Sequence, residues 1–499
     1  AIAIYIVYKI DIYVLMYNQE KEKGNLYYNN KGDNAIMDLI KFCNVYIFIL
    51  SILLTLYSRE DEPYFFFVSS STNVNNNNVN DTKVKIPENH TINIAIVTPF
   101  VNKMTQTVPI WSTSGMIATL LAIDAINNKT DNIFDHILPN TTIVYEIFDS
   151  KQDTVTVAGI APKLLAAFGG KGADVVLGAG TSGSSMALHS ILKYFDIPQI
   201  SPSATSGYLS VTKDYPFFSR IIPTDGVLTD AMIQFAKSVV GWKTGAIVCG
   251  NDPYSVYGGN ALRSAADLHD LGISAFEIFP SGTKDMSEQI NNAVTSGARL
   301  FFYFGFSTDI YIFLKTLYNY LTIRGDIEAG FSIIYAEAIT KASFATLKLE
   351  FATLNEQHIF DTMINATYMV KFAIRGGNMS NIFQSLFKNE IKSNIDCFNK
   401  NVTGACSDCF GDKINPLTNL PIFHFETDSN EPKKCIGPNS GSGTGYYPQF
   451  NFDSVLMIAN AYHNMIETKK TTSFGKDDFM TTITSPSFSF YGATGLVKL

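Results

Sequence analysis

Basic charge is scarce in this sequence and never gathered into an extended run: 37 Lys and Arg stand against 45 Asp and Glu, a formal charge of −8. That balance excludes the basic surface on which nucleic-acid binding depends, so no nucleic-acid partner is expected. Histidine is sparse and scattered, at His90, His136, His189, His269, His358, His424 and His463, with no HExxH setting. No Walker loop and no GxSxG elbow occurs either. Without a nucleophile beside a base, a metal cluster or a paired acid and base, the chain offers no catalytic constellation. The expectation is a protein that is not an enzyme and holds no cofactor and no metal.

Long apolar runs are equally few. Residues 1–17 are apolar but interrupted by Lys9 and Asp11, and residues 1–36 read as an uncertain leader. Phe42 to Tyr57 is at the short end for a membrane span, with Lys41 before it and Arg59-Glu60-Asp61-Glu62 after it. With Met37 as a candidate initiator, residues 37–58 read as a secretory signal, an uncleaved anchor being the alternative. Residues 59–91 read as a disordered spacer, since SSTNVNNNNVNDT at 70–82 has nothing to bury.

Cysteine is limited to six residues, four of them between Cys397 and Cys435. In a cytosolic chain Cys406-x-x-Cys409 with two neighbours would suggest zinc or redox chemistry; behind a secretory leader it suggests disulfides. The pairing of the four is open. Cys249 falls in an apolar strand and is expected to be a buried free thiol. Asn-x-Ser/Thr triplets at Asn80, Asn89, Asn128, Asn140, Asn365, Asn378 and Asn401 permit glycosylation without proving it.

What the chain does have is a steady alternation of short apolar strands and helices. Strands are expected from Thr91, over Thr142–Phe148 and at Val175–Leu177, with helices over Met116–Asn127 and Val155–Phe168. Beyond Asp225 the pattern restarts with a helix over Leu228–Val240, a strand over Thr244–Cys249 and further alternation to Tyr335. Such alternation means parallel sheets covered on both faces, here in two units of similar build. Pro223-Thr224-Asp225-Gly226 punctuates the passage between them.

The stretch from Ala173 to Asp225 carries the most information. The strand Val175–Leu177 ends in Gly178 and Gly180, and hydroxyl residues Thr181, Ser182, Ser184 and Ser185 precede Met186–Phe195, whose apolar residues recur at helical spacing. A second strand near Ile197–Ile200 runs into Ser201-Pro202-Ser203-Ala204-Thr205-Ser206. Unpaired N–H groups and hydroxyls at adjacent strand ends suit a bound anion in the crevice of a parallel sheet. Gly178, Gly180 and Gly183 spell GxGxxG, but they do not open the first βαβ unit, and Asp196 precedes the next strand instead of ending it. A tight turn explains them better than a dinucleotide.

The phrases FDIPQISPSATSGYLS and YPFFSRIIPTD, the pair Gly241-Trp242, and Asp252 through Gly258 resemble the ligand-binding region of extracellular receptors. NIDCFNK, KKCIG and NFDSVLMIANAYHNM are most similar to class C G-protein-coupled receptors of the metabotropic glutamate and GABA-B type. The resemblance spans about Ile92 to Leu499 and implies a two-lobed periplasmic-binding-protein type I fold with three hinge crossings. On that basis residues 92–225 and 344–467 belong to the first lobe, and 226–343 and 468–499 to the second. The other two crossings are placed near Glu337–Ser343 and after about Glu467, and helices are expected near Phe372–Ala373 and Ile382–Phe387.

The same resemblance implies an amino-acid site. Ser182 and Thr205 would hold an α-carboxylate, and Glu337 and Tyr257 on the second lobe would hold the amine, with Asp225 joining them. Tyr254 is an alternative to Tyr257, because the loop Asn251–Gly258 is longer than in the family. Cys397 would pair with Cys435, leaving Cys406 and Cys409 to each other. Where glutamate receptors carry cations for a distal carboxylate, this sequence has Gly115 and Tyr446-Tyr447. The implied ligand is a small amino-acid-like zwitterion whose side chain is neutral or aromatic, not acidic. The implied setting is the outer face of the plasma membrane, with a homo- or heterodimer through the first lobe and a membrane part encoded downstream. The rival readings are a solute-binding protein serving a transporter and a lobe pair that only dimerises.

Overall fold

Residues 90–100, 110–339, 341–374, 377–401, 423–424, 447–469 and 475–499 are described in a computed structural model of the chain. The expected leader (1–36), the signal or anchor (37–58) and the spacer as far as residue 89 lie outside them, as do Cys406, Cys409, Cys435 and Tyr446. Of Cys397 only the backbone is described.

The first half builds β1 (His90–Thr98), α1 (Ile110–Asn127), β2 (Thr141–Asp149), α2 (Thr154–Gly170), β3 (Val175–Gly178), α3 (Ser182–Leu192), β4 (Gln199–Ser201) and β5 (Phe218–Arg220). The second builds α4 (Asp225–Phe235), β6 (Thr244–Gly250), α5 (Pro253–Leu268), β7 (Gly272–Phe279), α6 (Ser287–Thr295), β8 (Leu300–Phe304), α7 (Ile310–Arg324), the one-turn α8 (Asp326–Ala329), β9 (Ser332–Tyr335), α9 (Lys341–Thr353), α10 (Gln357–Asn365) and β10 (Thr367–Met369). Then come α11 (Asn378–Asn401), β11 (Phe423–His424), α12 (Tyr447–Lys469), α13 (Lys476–Ile483), β12 (Phe490–Gly492) and β13 (Gly495–Val497).

Two parallel sheets result, ordered β11-β2-β1-β3-β4-β5 and β10-β9-β8-β6-β7. Each is buried on both faces, as unbroken apolar strands require. Ile92, Ile94 and Ile96 of β1 pack with α1 and α12, whereas Ala95 and Val97 pack with α2 and α3. In the second sheet Ala246 and Val248 join Phe301, Tyr303, Ile333 and Tyr335 on one face, and Ile247 and Cys249 join Phe302, Phe304 and Ile334 on the other. This two-residue period is the strand's own geometry, and each fully buried large side chain contributes about 2 kcal/mol. Cys249 is a buried free thiol, and burial pushes its pKa up to about 12.

The lobes are joined at a small apolar cluster where Ile221 and Ile222, leaving β5, meet Phe372 and Ile374, leaving β10, and Tyr447 and Phe450 of α12. This corrects the expected passage at Glu337–Ser343. Strand β10 pairs with β9, so the second lobe extends to Met369 and the chain recrosses between there and Asn378. The expected helix near Phe372–Ala373 is absent because that segment is this crossing. The crossing expected after Glu467 is corrected too. Phe479, Ile483, Phe488 and Ala493 bury themselves in the first lobe's core instead of joining the second.

Asp453 explains why the terminal hairpin stays there. Its buried carboxyl accepts hydrogen bonds from Ala493 N at 2.6 Å, Thr494 N at 2.8 Å and Thr494 Oγ1 at 2.6 Å. Replacing Asp453 by Ala strands three donors and is expected to cost about 3 kcal/mol in a urea titration followed by circular dichroism. Asp453→Asn keeps an acceptor and should lose less; equal losses would show that the three bonds are not what holds the hairpin.

Candidate ligand-binding site

The β3–α3 turn is shaped by close approach. Gly178 has φ +126°, and a Cβ there would lie 2.1 Å from Val97 O, so no side chain fits. Thr181, not Ser182, caps α3, its hydroxyl accepting from Ser184 N at 3.3 Å. The helix therefore starts four residues earlier than the apolar pattern indicates, and Ser182 stands in its first turn. The Ser182 hydroxyl accepts from Ser206 N at 3.1 Å, which clips the two hydroxyl turns together. Ser182 and Thr205 are both buried, at the carboxyl ends of adjacent parallel strands.

The second lobe meets this wall with α5. Asp252 caps it by accepting from Tyr254 N and Ser255 N, and Pro253 occupies its first turn. Tyr254 and Tyr257 are thus helical rather than on the loop expected over Asn251–Gly258, and α1 likewise takes in Trp111. Ser206 Oγ donates to Pro253 O at 3.2 Å across the junction. The two tyrosines divide. Tyr254 is buried in the second lobe, its hydroxyl donating to Glu337 Oε1 at 3.2 Å. Tyr257 reaches the first lobe, packing edge-on against Tyr208 with ring centroids 5.0 Å apart.

Asp225 begins α4 at the first crossing, and Glu337 follows β9; both are buried. Burial first, and then the Glu337 charge, hold the Asp225 carboxyl well above the ordinary carboxylate range. Thr205 and Arg220 offset part of this, yet neither Asp225 oxygen has a donor in full hydrogen-bond geometry. Burial also pushes Glu337 up to about 7, against the pull of its own backbone N–H and Tyr254. The site thus crowds two acidic groups into a buried junction that disfavours their ionised forms, an arrangement that a cation relieves.

A cavity of about 20 Å³ adjoins the hydroxyl turns, lined by Trp111, Gly115, Met116, Thr119, Ser203 and Asn451 with no charged side chain among its described residues. A larger one, about 430 Å³, lies at the amino ends of the first sheet near His90, Lys171 and Tyr462 and contains none of the expected site residues. Ligands of open α/β sheets bind at the carboxyl ends of the strands, which favours the smaller space. His189 is no base here: it is buried against Tyr215 and Phe218, and burial holds its pKa down to about 4. Among the described residues no group of side chains suits a metal ion, and no helix is long and apolar enough to cross a membrane.

The model of the receptor family ligand binding region matches residues 115–499. The chain belongs to that family. This receptor-family domain is a binding module, and the family is not one of enzymes. It is 26% identical over 195 residues to the probable metabotropic glutamate receptor mgl-1 of Caenorhabditis elegans, covering 36% of this chain and 19% of that one. To taste receptor type 1 member 1 of Homo sapiens it is 27% identical over 176 residues, covering 33% and 20%. To metabotropic glutamate receptor 4 of Macaca fascicularis it is 30% identical over 164 residues, covering 29% and 17%. The matched part thus spans about a fifth of these relatives' length. In fold the domain is similar to the leucine-binding protein LivK of Thermotoga maritima, with a TM-score of 0.54 at 14% identity, covering 82% of this chain and 91% of that one. LivJ of Streptococcus pneumoniae, solved with isoleucine, has a TM-score of 0.53 at 15% identity, covering 81% and 90%.

Arg220, Ser206 and Gly207 were not singled out by sequence. For Arg220 the signal was present, an arginine ending an apolar strand. Gly207 lies under Tyr257: a Cβ there would fall 2.1 Å from its hydroxyl oxygen. Gly207→Ala is expected to push the ring aside at a cost of about 2 kcal/mol and loosen the lobe contact, raising amide exchange at 205–208. Unchanged exchange would mean that Tyr257 does not bear on this turn.

Because the folded pKa of Glu337 is raised from 4.5 to about 7, its contribution to stability is complete below the lower value and lost as pH rises through the upper. The ligand-free domain should melt at lower temperature near about pH 8 than near about pH 5, and Glu337→Gln should flatten that slope. An unaltered slope in the variant would remove Glu337 from the pair.

Proposed function

We propose that this chain is the extracellular ligand-binding domain of a cell-surface receptor, akin to class C G-protein-coupled receptors, and that it senses an amino acid or similar small zwitterion. One observation carries the reading: two buried carboxyl groups, Asp225 and Glu337, share a junction whose opposite side is a wall of hydroxyls and a helix amino terminus. An ammonium suits the first side and a carboxylate the second. Ser182 and Thr205 take the carboxylate; Glu337, Asp225 and a tyrosine take the amine. Ligand seats on the hydroxyl wall, the second lobe closes on it, and tighter binding to the closed form shifts the population. Dimerisation through the first lobe and a membrane part beyond Leu499 complete the receptor, and disulfides from Cys397, Cys406, Cys409 and Cys435 fit its extracellular setting.

The ligand's side chain is neutral. At Gly115 a Cβ would lie 2.7 Å from Asn451 Nδ2, so a basic residue has no room without displacing that amide. A second reading, a solute-binding protein that delivers an amino acid to a transporter, is favoured by the fold likeness to LivK and LivJ. Sequencing the transcript past the Leu499 codon separates the two, because only the receptor requires a membrane-spanning output module there.

A thermal-shift panel of L-amino acids on the full chain should show stabilisation by neutral members, larger near about pH 8 than near about pH 5 because the ammonium replaces protons on the acids. Thr205→Ala should weaken binding about tenfold. Stabilisation by glutamate or aspartate alone would overturn the neutral assignment.

A further inference from the structure

We infer that Arg220 is a positioning residue of the ligand wall, its guanidinium gripping the carbonyls on either side of Thr205 and so fixing that side chain against Asp225. The inference rests on the zwitterion reading above and adds to it the element that keeps the hydroxyl wall in register. Arg220 ends β5 at the edge of the first sheet. Its Nη1 donates to Ala204 O at 3.0 Å and to Ser206 O at 2.6 Å, and its Nη2 donates to Ser210 Oγ. The residue between those two carbonyls is Thr205, whose own carbonyl accepts from Asp225 N at 3.0 Å. One planar group thus holds the peptide carbonyls on both sides of Thr205, and the carbonyl between them is bonded directly to the acid at the lobe crossing.

A guanidinium is suited to this where an ammonium is not. Its nitrogens are held in one rigid plane, so while Nη1 takes both carbonyls Nη2 takes Ser210 Oγ at a fixed angle to them. The charge has a second effect. Asp225 is faced by Glu337, Asp252, Tyr257, Thr205 and Arg220, and of these Arg220 alone is cationic. No donor reaches either Asp225 oxygen in hydrogen-bond geometry, so Arg220 acts on that carboxyl through space. A residue that merely held a loop would carry no such electrostatic coupling.

The test compares the full chain with Arg220→Met, Arg220→Lys, Asp225→Asn and the Met/Asn double variant, by melting near about pH 5 and about pH 8 and by titration with the amino acid that stabilises the wild type most. Arg220→Met is expected to weaken that amino acid about tenfold, and Arg220→Lys to recover only part, since an ammonium has no second nitrogen to hold Ser210 Oγ. The melting deficit of Arg220→Met should be larger at the higher pH, where a larger share of Asp225 is ionised, and that difference should vanish with Asp225→Asn. A variant that binds within about twofold of wild type overturns the positioning role, whatever its melting behaviour. So does a melting deficit equal at both pH values and in both backgrounds. If no amino acid stabilises the wild type, the zwitterion reading falls, and the pH comparison across the Asp225→Asn background alone decides for or against Arg220.

Discussion

Burying two carboxyl groups at one junction is costly, and much of the arrangement around Asp225 and Glu337 follows from how that cost is met. Desolvation disfavours each charge, and each charge disfavours the other. A domain built for stability alone would place apolar residues there, as the rest of both cores does. Instead Asp225 begins α4 at the first crossing and Glu337 follows β9 of the second lobe, so both acids face the hydroxyl turns from the same side. On the reading proposed above, a ligand that brings a positive charge relieves the two acids as the lobes approach, which is the differential affinity that closure requires.

The hydroxyl wall is the complement of that strain. It is held by a chain of specific contacts: Gly178 lets β3 approach β1, Thr181 takes over the capping role, and Ser182 accepts from Ser206 N. Thr205 then passes the register to Asp225 through a backbone hydrogen bond. These contacts tie the wall to the first lobe, whereas the partner groups Tyr254, Tyr257 and Glu337 all ride on the second lobe. Groups divided in this way between two lobes are what the proposed clamshell needs.

Much of this was legible in the residues. Two parallel-sheet units follow from unbroken strands such as INIAIVTP and LFFYF alternating with helices, and the glycine and hydroxyl turns after β3 and β4 mark the strand ends. Less legible were the places where a local rule competes with a periodicity. Apolar spacing starts α3 at Met186, but a capping hydroxyl decides where a helix begins, and Thr181 was as good a cap as any. Asp252-Pro253 carries the start of α5 in plain view, an acid at the cap with proline just inside, whereas the family resemblance implies a loop over Asn251–Gly258. The second crossing and the terminal hairpin were illegible for a different reason. Whether Thr367–Met369 pairs with β9, or Ala493 binds Asp453, is settled by contacts between residues far apart in sequence, on which spacing is silent.

Specificity and shape have separate origins here. The fold is shared with proteins at 14% and 15% identity, so the two-lobed frame tolerates nearly complete replacement of its residues. What distinguishes a binder is confined to a few positions at the ends of strands. The carboxylate and ammonium of a zwitterion are common to every amino acid, and in the proposed function the Asp225, Glu337, Ser182 and Thr205 arrangement would read only those. Discrimination among amino acids has to come from the space beyond, where Trp111 leans within 2.7 Å of where a Gly180 Cβ would stand and Asn451 closes on Gly115. That space is about 20 Å³, room for about one water, and uncharged among its described residues, so on the proposed reading it would offer an acidic side chain neither space nor a partner. A pocket of that kind rejects an acidic side chain strongly, because nothing pairs the buried carboxylate, and separates neutral side chains weakly, because a methylene is worth only about 1–3 kcal/mol.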